Sequence, residues 1–407
     1  MNLDQVYSKL PEPNDKTLCL LVMDGVGDIA VESTGWKTPL EAARTPNLDA
    51  LAKKSALGRM IPVAPGITPG SGPGHLGLFG YDPLEFEVGR GVIEALGLGM
   101  ELKPGDVCAR ANFCTLDEKT GLVTDRRAGR VATEITEQQC ALLASKIKKI
   151  GDVQVLIQAG KGHRFVVVFR GKGLEGPLTD SDPGKEGAPI ATAKPGGKAA
   201  GQKKTAKVVA EFYKHALPLL KGRKPANGFL LRGIAHQPDI PTVEQRYGLK
   251  PACIAVYPMY KGLAQLVGMT KIEGPQDIAA QFAAARKAKG QFDYVFIHFK
   301  YTDMYGEDGN FPKKVEAVEQ LDAALPALLD IGFDVLAVTG DHSTPAPMKG
   351  HSWHPQPVLL HSAFSGSDKL ERFTETGANT GSLGVFKAKY LIRLMQANAR
   401  MFDKFGA

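Results

Sequence analysis

The chain reads as short apolar runs that stop at polar or glycine-rich breaks, alternating with stretches whose apolar residues recur at helical spacing. Thr17 to Met23 (TLCLLVM) is apolar and ends at Asp24-Gly25, the pattern of a buried strand that delivers an acid at its carboxyl end. Thr45-Pro46 opens a helix, with Pro in the first turn and Leu48, Leu51 and Ala52 on its apolar face. Pro62 to Gly80 is rich in Gly and Pro up to His75 and helical beyond it, and Gly89 to Leu98 predicts another helix. From about Glu101 the texture changes. Polar strands precede a helix over Ile135 to Ile150, strands follow at Val153 to Gln158 and His163 to Phe169, and Asp180 to Gln202 reads as a long surface loop. After Pro225 the buried-strand texture returns at Gly228 to Leu231, Cys253 to Val256, Tyr294 to His298, Val335 to Val338 and Val358 to Leu360, with helical patterns at Asp277 to Ala288 and Lys313 to Leu329. This alternation predicts an α/β fold, a doubly wound and mostly parallel sheet covered by helices. The expected boundaries are a core over 1–100 and 225–407 and a smaller inserted α+β cap over 101–224.

Composition narrows the class. A chain of 407 residues with 43% hydrophobic and 23% charged residues can bury a sizeable core and is not a disordered tail. No run of about 18 apolar residues occurs, and Met1 to Lys16 is polar, so neither a membrane span nor a signal peptide is expected. Five scattered cysteines (Cys19, Cys108, Cys114, Cys140, Cys253) with no CxxC pair fit reduced thiols in a cytoplasm. The net charge of +7 is concentrated: Lys161 to Lys224 holds 14 Lys and Arg against 5 Asp and Glu, a local +9 that leaves −2 for the rest. No aromatic-interleaved basic stripe accompanies those lysines, so no nucleic-acid partner is expected. A solvated lysine face or a funnel for a small anionic substrate remain as readings.

Three polar clusters lie just beyond predicted strands, where open α/β sheets place their ligands. They are Asp24; Lys300 to Gly309, with Asp303 and Glu307; and Thr339 to Pro345, with Asp341 and His342, followed by His351 and His354. Taken singly, each has an ordinary explanation as a cap or a hydrogen-bonded side chain. Together they gather carboxylates and imidazoles whose crowding at one edge would be costly without a cation. Mixed oxygen and imidazole donors suit Mn²⁺, Mg²⁺ or Zn²⁺, with enough groups for two ions clamping a phosphoryl group. Ser71, in Pro69-Gly70-Ser71-Gly72-Pro73-Gly74-His75-Leu76, is a nucleophile candidate in a glycine-flanked turn.

The order Met23-Asp24-Gly25, Pro69-Gly70-Ser71, Phe79-Gly80-Tyr81-Asp82-Pro83, Gly89-Arg90-Gly91, Arg110-Ala111-Asn112-Phe113, Asp125-Arg126-Arg127-Ala128-Gly129-Arg130, His163-Arg164, Lys300, Asp303 and TGDHSTP resembles the archaeal-type cofactor-independent phosphoglycerate mutases of the alkaline phosphatase superfamily. The resemblance spans nearly the whole chain. It implies an alkaline phosphatase-like core and a mutase of glycolysis and gluconeogenesis that interconverts 3-phosphoglycerate and 2-phosphoglycerate through a phosphoserine on Ser71. It implies two divalent ions, Mn²⁺ or Mg²⁺ ahead of Zn²⁺ or Co²⁺. One would be held by Asp24, Ser71, Asp341 and His342, the other by Asp303, Glu307 and His351. Arg90, Arg127, Arg130, His163, Arg232, Lys261 and Lys300 are the candidates for gripping a small phosphorylated carboxylic acid. No membrane partner is expected, and the oligomeric state stays open.

The chain departs from the family pattern in three places. Glu307 stands where His is usual, Gly72 where Asp follows the serine, and His354 where Asp is usual. Glu307 should shift its site toward harder ions, and His354 is a possible compensating ligand or a partner of Glu307. Two rivals stay open: a metal-dependent phosphatase or mutase for another phosphorylated metabolite, and an inactive paralogue that binds an anionic partner.

Overall fold

Leu18–Met23 is buried along its whole length. A strand covered on both faces has no polar side to present, which is why its sequence shows no alternation. The computed structural model describes residues 3–406, so Met1 and Asn2 of the polar N-terminal stretch, and Ala407, lie outside it. Its strands in chain order are β1 (Leu18–Met23), β2 (Ala56–Ile61), β3 (Val107–Leu116), β4 (Val123–Asp125), β5 (Lys149–Ile150), β6 (Val153–Ala159), β7 (Arg164–Arg170), β8 (Gly228–His236), β9 (Pro251–Ile254), β10 (Thr270–Lys271), β11 (Tyr294–Phe299), β12 (Val335–Thr339), β13 (Gln356–Ser362) and β14 (Gly384–Lys387).

The chain divides into two compact units, one comprising the residues up to Glu87 with those from Ile240 onward, the other Val88–Asp239. The first holds an eight-stranded sheet in the order β10-β9-β11-β1-β12-β13-β2-β14. Strands β9, β10, β11, β1 and β12 run parallel, and β13 is antiparallel to both its neighbours. The mixed, mostly parallel α/β class expected from the alternation is therefore the one found. Met23 pairs with Phe299, and Val22 with both His298 and Thr339, so the three polar clusters leave adjacent strands at one level. Phe282 of the helix Ile278–Ala288 and Val318, Leu321 and Leu325 of the helix Phe311–Leu329 share one core cluster with Leu21 and Ile297.

The second unit holds six strands in the order β4-β3-β7-β6-β5, with β8 also paired to β3, and every pairing is antiparallel. It is wider than the expected 101–224. At its start, the helix Arg90–Gly97 lies against β3 so closely that a Cβ on Gly91 would come within 2.6 Å of the Cys108 carbonyl carbon. At its end, β8 runs on to His236, opposite Val107. Arg90 thus belongs with this unit rather than with the sheet that carries Asp24. The expected helix over 135–150 is Thr133–Lys146, because the backbone turns out of helix at Ile147 and Lys149–Ile150 pairs as β5. The expected loop ends at Ala200, where a 21-residue helix, Ala200–Leu220, begins. Lys203 and Lys207 are exposed while Val208, Val209, Phe212, Ala216 and Leu220 are buried, so part of the local positive charge is a solvated helix face. Among the described residues no helix is long and apolar enough to cross a membrane.

Candidate functional site

Asp24 is carried to the sheet edge by β1, its N–H donating to the Phe299 carbonyl at 2.9 Å. Gly25 follows with φ of +59°, and a Cβ there would meet Asp303 Oδ1 at 2.7 Å, so only glycine fits. The Gly25 N–H donates to Asp341 Oδ1 at 3.0 Å, tying the loop after β1 to the loop after β12. Ser71 is the first residue of the helix Ser71–Leu78. That helix approaches closely because Gly74 carries no side chain: a Cβ would lie 2.6 Å from the Asp341 carbonyl oxygen. Ser71 Oγ is left 3.4 Å from His342 Nε2.

Two groups of potential ligand atoms form there: Asp24 with Asp341 and His342, and Asp303 with His342 and His351, each within 4.8 Å. His342 is common to both. Its Nε2 lies 3.1 Å from Asp341 Oδ2 and 3.4 Å from Asp24 Oδ1, and its ring stacks on His351 at 3.7 Å. His351 Nε2 is 3.5 Å from Asp303 Oδ1. Glu307 is at the margin, 57% exposed, with Oε1 3.7 Å from His351 Nε2. Lys300 sits between two acids, 2.9 Å from Asp24 Oδ2 and also paired with Asp303 Oδ2.

These contacts overturn the effect of burial. Desolvation alone would raise Asp303, but its hydrogen bond to His351 and the charge of Lys300 hold its carboxyl well below the usual range. Burial pushes His351 down, and the bonds to Asp303 and the Pro69 carbonyl outweigh it, raising it to about 9. Burial opposes ionisation of Asp341 as well, yet the charges of His342 and His75 hold it far below its ordinary value.

A buried layer stands behind the two acids. His75 Nδ1 lies 3.1 Å from Asp341 Oδ2 and 2.9 Å from the Ser71 carbonyl; His298 Nε2 lies 3.2 Å from Asp24 Oδ2. The Tyr260 hydroxyl donates to the same Asp24 oxygen, and its ring stacks on His298 at 3.7 Å. Nothing in the sequence pattern assigns a role to His75, Tyr260 or His298. An imidazole at the end of an otherwise apolar strand, YVFIHF, was the available signal for His298. Thr344 was likewise unassigned, and its hydroxyl donates to Asp303 Oδ1 at 2.6 Å and lies 3.0 Å from His342 Nδ1.

Two candidates are placed elsewhere. His354 belongs to neither group: its Nδ1 faces Ser352 Oγ at 2.9 Å, and its carbonyl accepts from Ser343 Oγ and Gln356 Nε2. Ser352, which holds that imidazole, is itself bridged to Ser343. Lys261 is engaged by Glu273, at 2.5 Å.

The second unit gathers the other basic candidates. Arg110 is lowered first by burial and then by the charges of Arg164, Arg232 and Arg90, which places these guanidinium groups near one another. His163 is pushed down to about 4 by burial and by Arg164, Arg127, Arg110 and Arg130, so it is a neutral imidazole at neutral pH. Arg127 and Arg130 are exposed on a turn in which Ala128, Gly129 and Arg130 all have positive φ. Asp125 holds that turn, accepting from the N–H groups of Arg127 and Gly129 at 2.7 Å each. Arg232 is only loosely paired, 3.5 Å from Asp182. Arg110 and Arg164, quoted as motif residues but given no role, belong with this group.

The donor set of the first unit fits divalent ions. Asp24 Oδ1 and Asp341 Oδ2 are buried, their residues belong to one ligand group, and each lies near imidazole nitrogen, at 3.4 Å and 3.1 Å, without an aligned hydrogen bond from the described residues. Carboxylate oxygens so incompletely satisfied are costly to bury, and a cation would relieve that cost. All five cysteines are buried and free, and none is in either ligand group, so the donors are oxygen and imidazole.

Glu375 is buried, with Oε1 accepting from the Asp28 N–H at 3.1 Å and Oε2 from the Thr38 hydroxyl at 2.6 Å. Burial pushes it from 4.5 up to about 7. The folded chain therefore holds this proton more tightly than the unfolded chain. The stability it confers is present below about pH 4.5 and lost as pH rises to 7, about 3 kcal/mol in all. Glu375→Gln is expected to flatten that part of the profile in urea titrations from pH 4.5 to 8. An unchanged slope would contradict the assignment.

What the fold and this edge define is a class, the mixed α/β enzymes that bring acids, imidazoles and a nucleophile together beyond a parallel sheet. Comparison with known proteins makes it particular. Residues 52–227 match the family model described as 2,3-bisphosphoglycerate-independent phosphoglycerate mutase. Relatives in Thermotoga maritima (49% identical over 403 residues, 99% of each chain) and Thermus thermophilus (48% over 410 residues, 100% of each) bear the name "Probable 2,3-bisphosphoglycerate-independent phosphoglycerate mutase". A solved structure of the cofactor-independent phosphoglycerate mutase from Thermoplasma acidophilum superposes with a TM-score of 0.73 at 30% identity, covering 94% of this chain and 99% of that one. A Pyrococcus horikoshii protein superposes with a TM-score of 0.81 at 29% identity, covering 97% and 100%. This chain belongs to the 2,3-bisphosphoglycerate-independent phosphoglycerate mutase family.

Proposed function

We propose that the chain interconverts 3-phosphoglycerate and 2-phosphoglycerate in the cytoplasm, without 2,3-bisphosphoglycerate, using Ser71 as a transient phosphoryl carrier beside two divalent ions. The observation that carries this reading is the placement of Ser71 Oγ 3.4 Å from His342 Nε2, on the one imidazole common to both ligand groups. Asp24, Asp341 and His342, with Ser71, would hold one ion; Asp303 and His351, with Glu307 swung inward, the other. The ions, when bound, neutralise phosphoryl charge and favour the serine alkoxide.

The chain's own groups do the rest. Ser71 Oγ forms a bond to phosphorus as the bond to the C3 oxygen breaks, and the serine proton ends on that oxygen. The second half returns the phosphoryl group to the C2 oxygen, whose proton goes back to Ser71. Gly70 and Gly72 leave room for the tetrahedral group, and the start of the helix Ser71–Leu78 offers N–H donors to its oxygens. Lys300, held by Asp24, is a cation within the site. Arg90, Arg110, Arg127, Arg130, Arg164 and Arg232 are assigned to the phosphate and carboxylate, since guanidinium forks match both. His163, neutral, is suited to exchanging a proton with a glycerate hydroxyl.

The test is incubation of metal-reconstituted protein with 3-phosphoglycerate alone, followed by phosphorus NMR. Formation of 2-phosphoglycerate supports the mutase; inorganic phosphate alone supports a phosphatase; no change with Mn²⁺, Mg²⁺, Co²⁺ or Zn²⁺ supports an inactive paralogue. Mn²⁺ and Mg²⁺ are the proposed ions because Glu307 adds a hard oxygen beside His351. Glu307→His is expected to raise Zn²⁺ affinity relative to Mg²⁺ by about tenfold or more, read by competitive metal titration. A ratio equal to the parent's would remove Glu307 from the ligand set.

A further inference from the structure

Among the described residues, Lys314 is the one lysine in the group of largest fully buried side chains, with no exposed surface. It projects from the first turns of the helix Phe311–Leu329, and its ammonium has three partners, as many as it has protons: Asp28 Oδ2 at 2.9 Å, the Thr344 carbonyl at 2.8 Å and the Gly27 carbonyl at 3.3 Å. Asp28 is filled in turn, since Oδ2 also accepts from the Ala346 N–H at 3.0 Å and Oδ1 from the Ile29 N–H at 2.8 Å. A buried charge pair satisfied this completely specifies geometry more than it adds stability.

Its two carbonyl partners lie on different ligand-bearing loops. Gly27 is three residues past Asp24, and Thr344 is two past His342. The loops are already zipped by the Thr344 N–H donating to the Gly27 carbonyl at 3.0 Å and by bridges from Ser343 to Val26 and Gly27. Thr344 then passes the constraint on, because its hydroxyl bonds Asp303 and faces His342 Nδ1, one member of a ligand group and the member shared by both. On its other side, Gly306 is so close that a Cβ would meet Thr344 Cγ2 at 2.9 Å, so the helix carrying Asp303 is seated on the same residue.

We infer that Lys314 is a positioning residue: with Asp28 it staples the two ligand-bearing loops in register and, through Thr344, presets both ligand groups before any ion binds. This rests on the metal-site reading above, although it assigns Lys314 no contact with substrate or ion. The work it does is to remove a conformational cost from metal binding, so its loss appears as weaker affinity rather than altered chemistry.

The experiment titrates metal-free full-length protein with Mn²⁺ by calorimetry, and measures kcat and KM at limiting and saturating Mn²⁺. The variants are Lys314→Met/Asp28→Asn, which deletes the staple without stranding a charge, and Thr344→Val, which leaves the charge pair intact and removes only the hydroxyl. Both are expected to raise the Mn²⁺ Kd by fivefold or more, with kcat recovering at saturating Mn²⁺ and substrate KM unchanged, and Thr344→Ser is expected to restore the parent Kd. A smaller rise overturns the inference. If the double variant does not fold, Lys314→Gln/Asp28→Asn, which removes both charges but keeps polar groups beneath the loops, decides by the same criterion. Parent protein that binds Mn²⁺ yet forms no 2-phosphoglycerate sinks the functional reading and leaves this one standing, whereas parent-like Kd values in the variants sink this one alone.

Discussion

Ser71→Ala is expected to lower formation of 2-phosphoglycerate by about 10⁴-fold or more while leaving the fold intact. Ser71 begins a helix whose apolar residues Leu76 and Leu78 are buried, whereas Ser71 itself is only half-buried, so truncation to Ala costs little stability. What it removes is the only proposed acceptor for the phosphoryl group. The change leaves the carboxylate and imidazole metal ligands untouched, so the loss should fall on kcat with KM nearly unchanged. Quenching the parent during turnover of phosphorus-labelled substrate should leave label on the peptide containing Ser71, and the variant should show none. Turnover within tenfold of the parent would exclude the phosphoserine route.

Stripping the metals is expected to abolish turnover and to lower the unfolding free energy by about 4 kcal/mol for each ion removed, relative to protein at a thousandfold excess of Mn²⁺ over each site's Kd. The pH dependence of that gain identifies His351. Its folded pKa of about 9 lies above its ordinary 6.5, so in metal-free protein it stabilises the fold fully below 6.5 and loses that contribution as pH rises through 9. Ligation requires the neutral ring, and each pH unit below 9 therefore weakens binding about tenfold. The rise in Tm on adding Mn²⁺ should grow from pH 6.5 to 9 in the parent. It should lose that growth in His351→Ala, as read by differential scanning calorimetry with and without chelator.

The strands were legible because burial leaves a local trace. TLCLLVM and, His298 apart, YVFIHF are apolar because the strands they form are fully buried in the sheet, and the acids that follow them mark its ligand edge. Sequence was weaker wherever an element's role depends on a distant partner. Helical periodicity over Ile135 to Ile150 continued past Lys146, where pairing of Lys149–Ile150 with β6 ended the helix. A change of texture near residue 100 puts Arg90 in the core, yet packing of Gly91 against Cys108 puts it in the other unit. His354 is three residues from His351, close enough to suggest a shared task, and its ring faces the Ser352 hydroxyl.

By itself the sequence determined the α/β class, the donors available and the strand ends that carry them. These follow from properties of single residues and their near neighbours: apolar runs that must be buried, glycines where a Cβ has no room, and carboxylates that end strands. Tertiary structure alone decided that His342 is common to two ligand groups, that Lys300 lies between Asp24 and Asp303, and that His75, His298 and Tyr260 back the acids. It also decided that Lys314, which the helical pattern would permit on any face, is enclosed beneath two loops. The distances between such groups are set by the parallel register of β11, β1 and β12 and by hydrogen bonds joining loops some 300 residues apart. Long-range register leaves no periodic trace in composition or spacing, so only the assembled sheet could supply it.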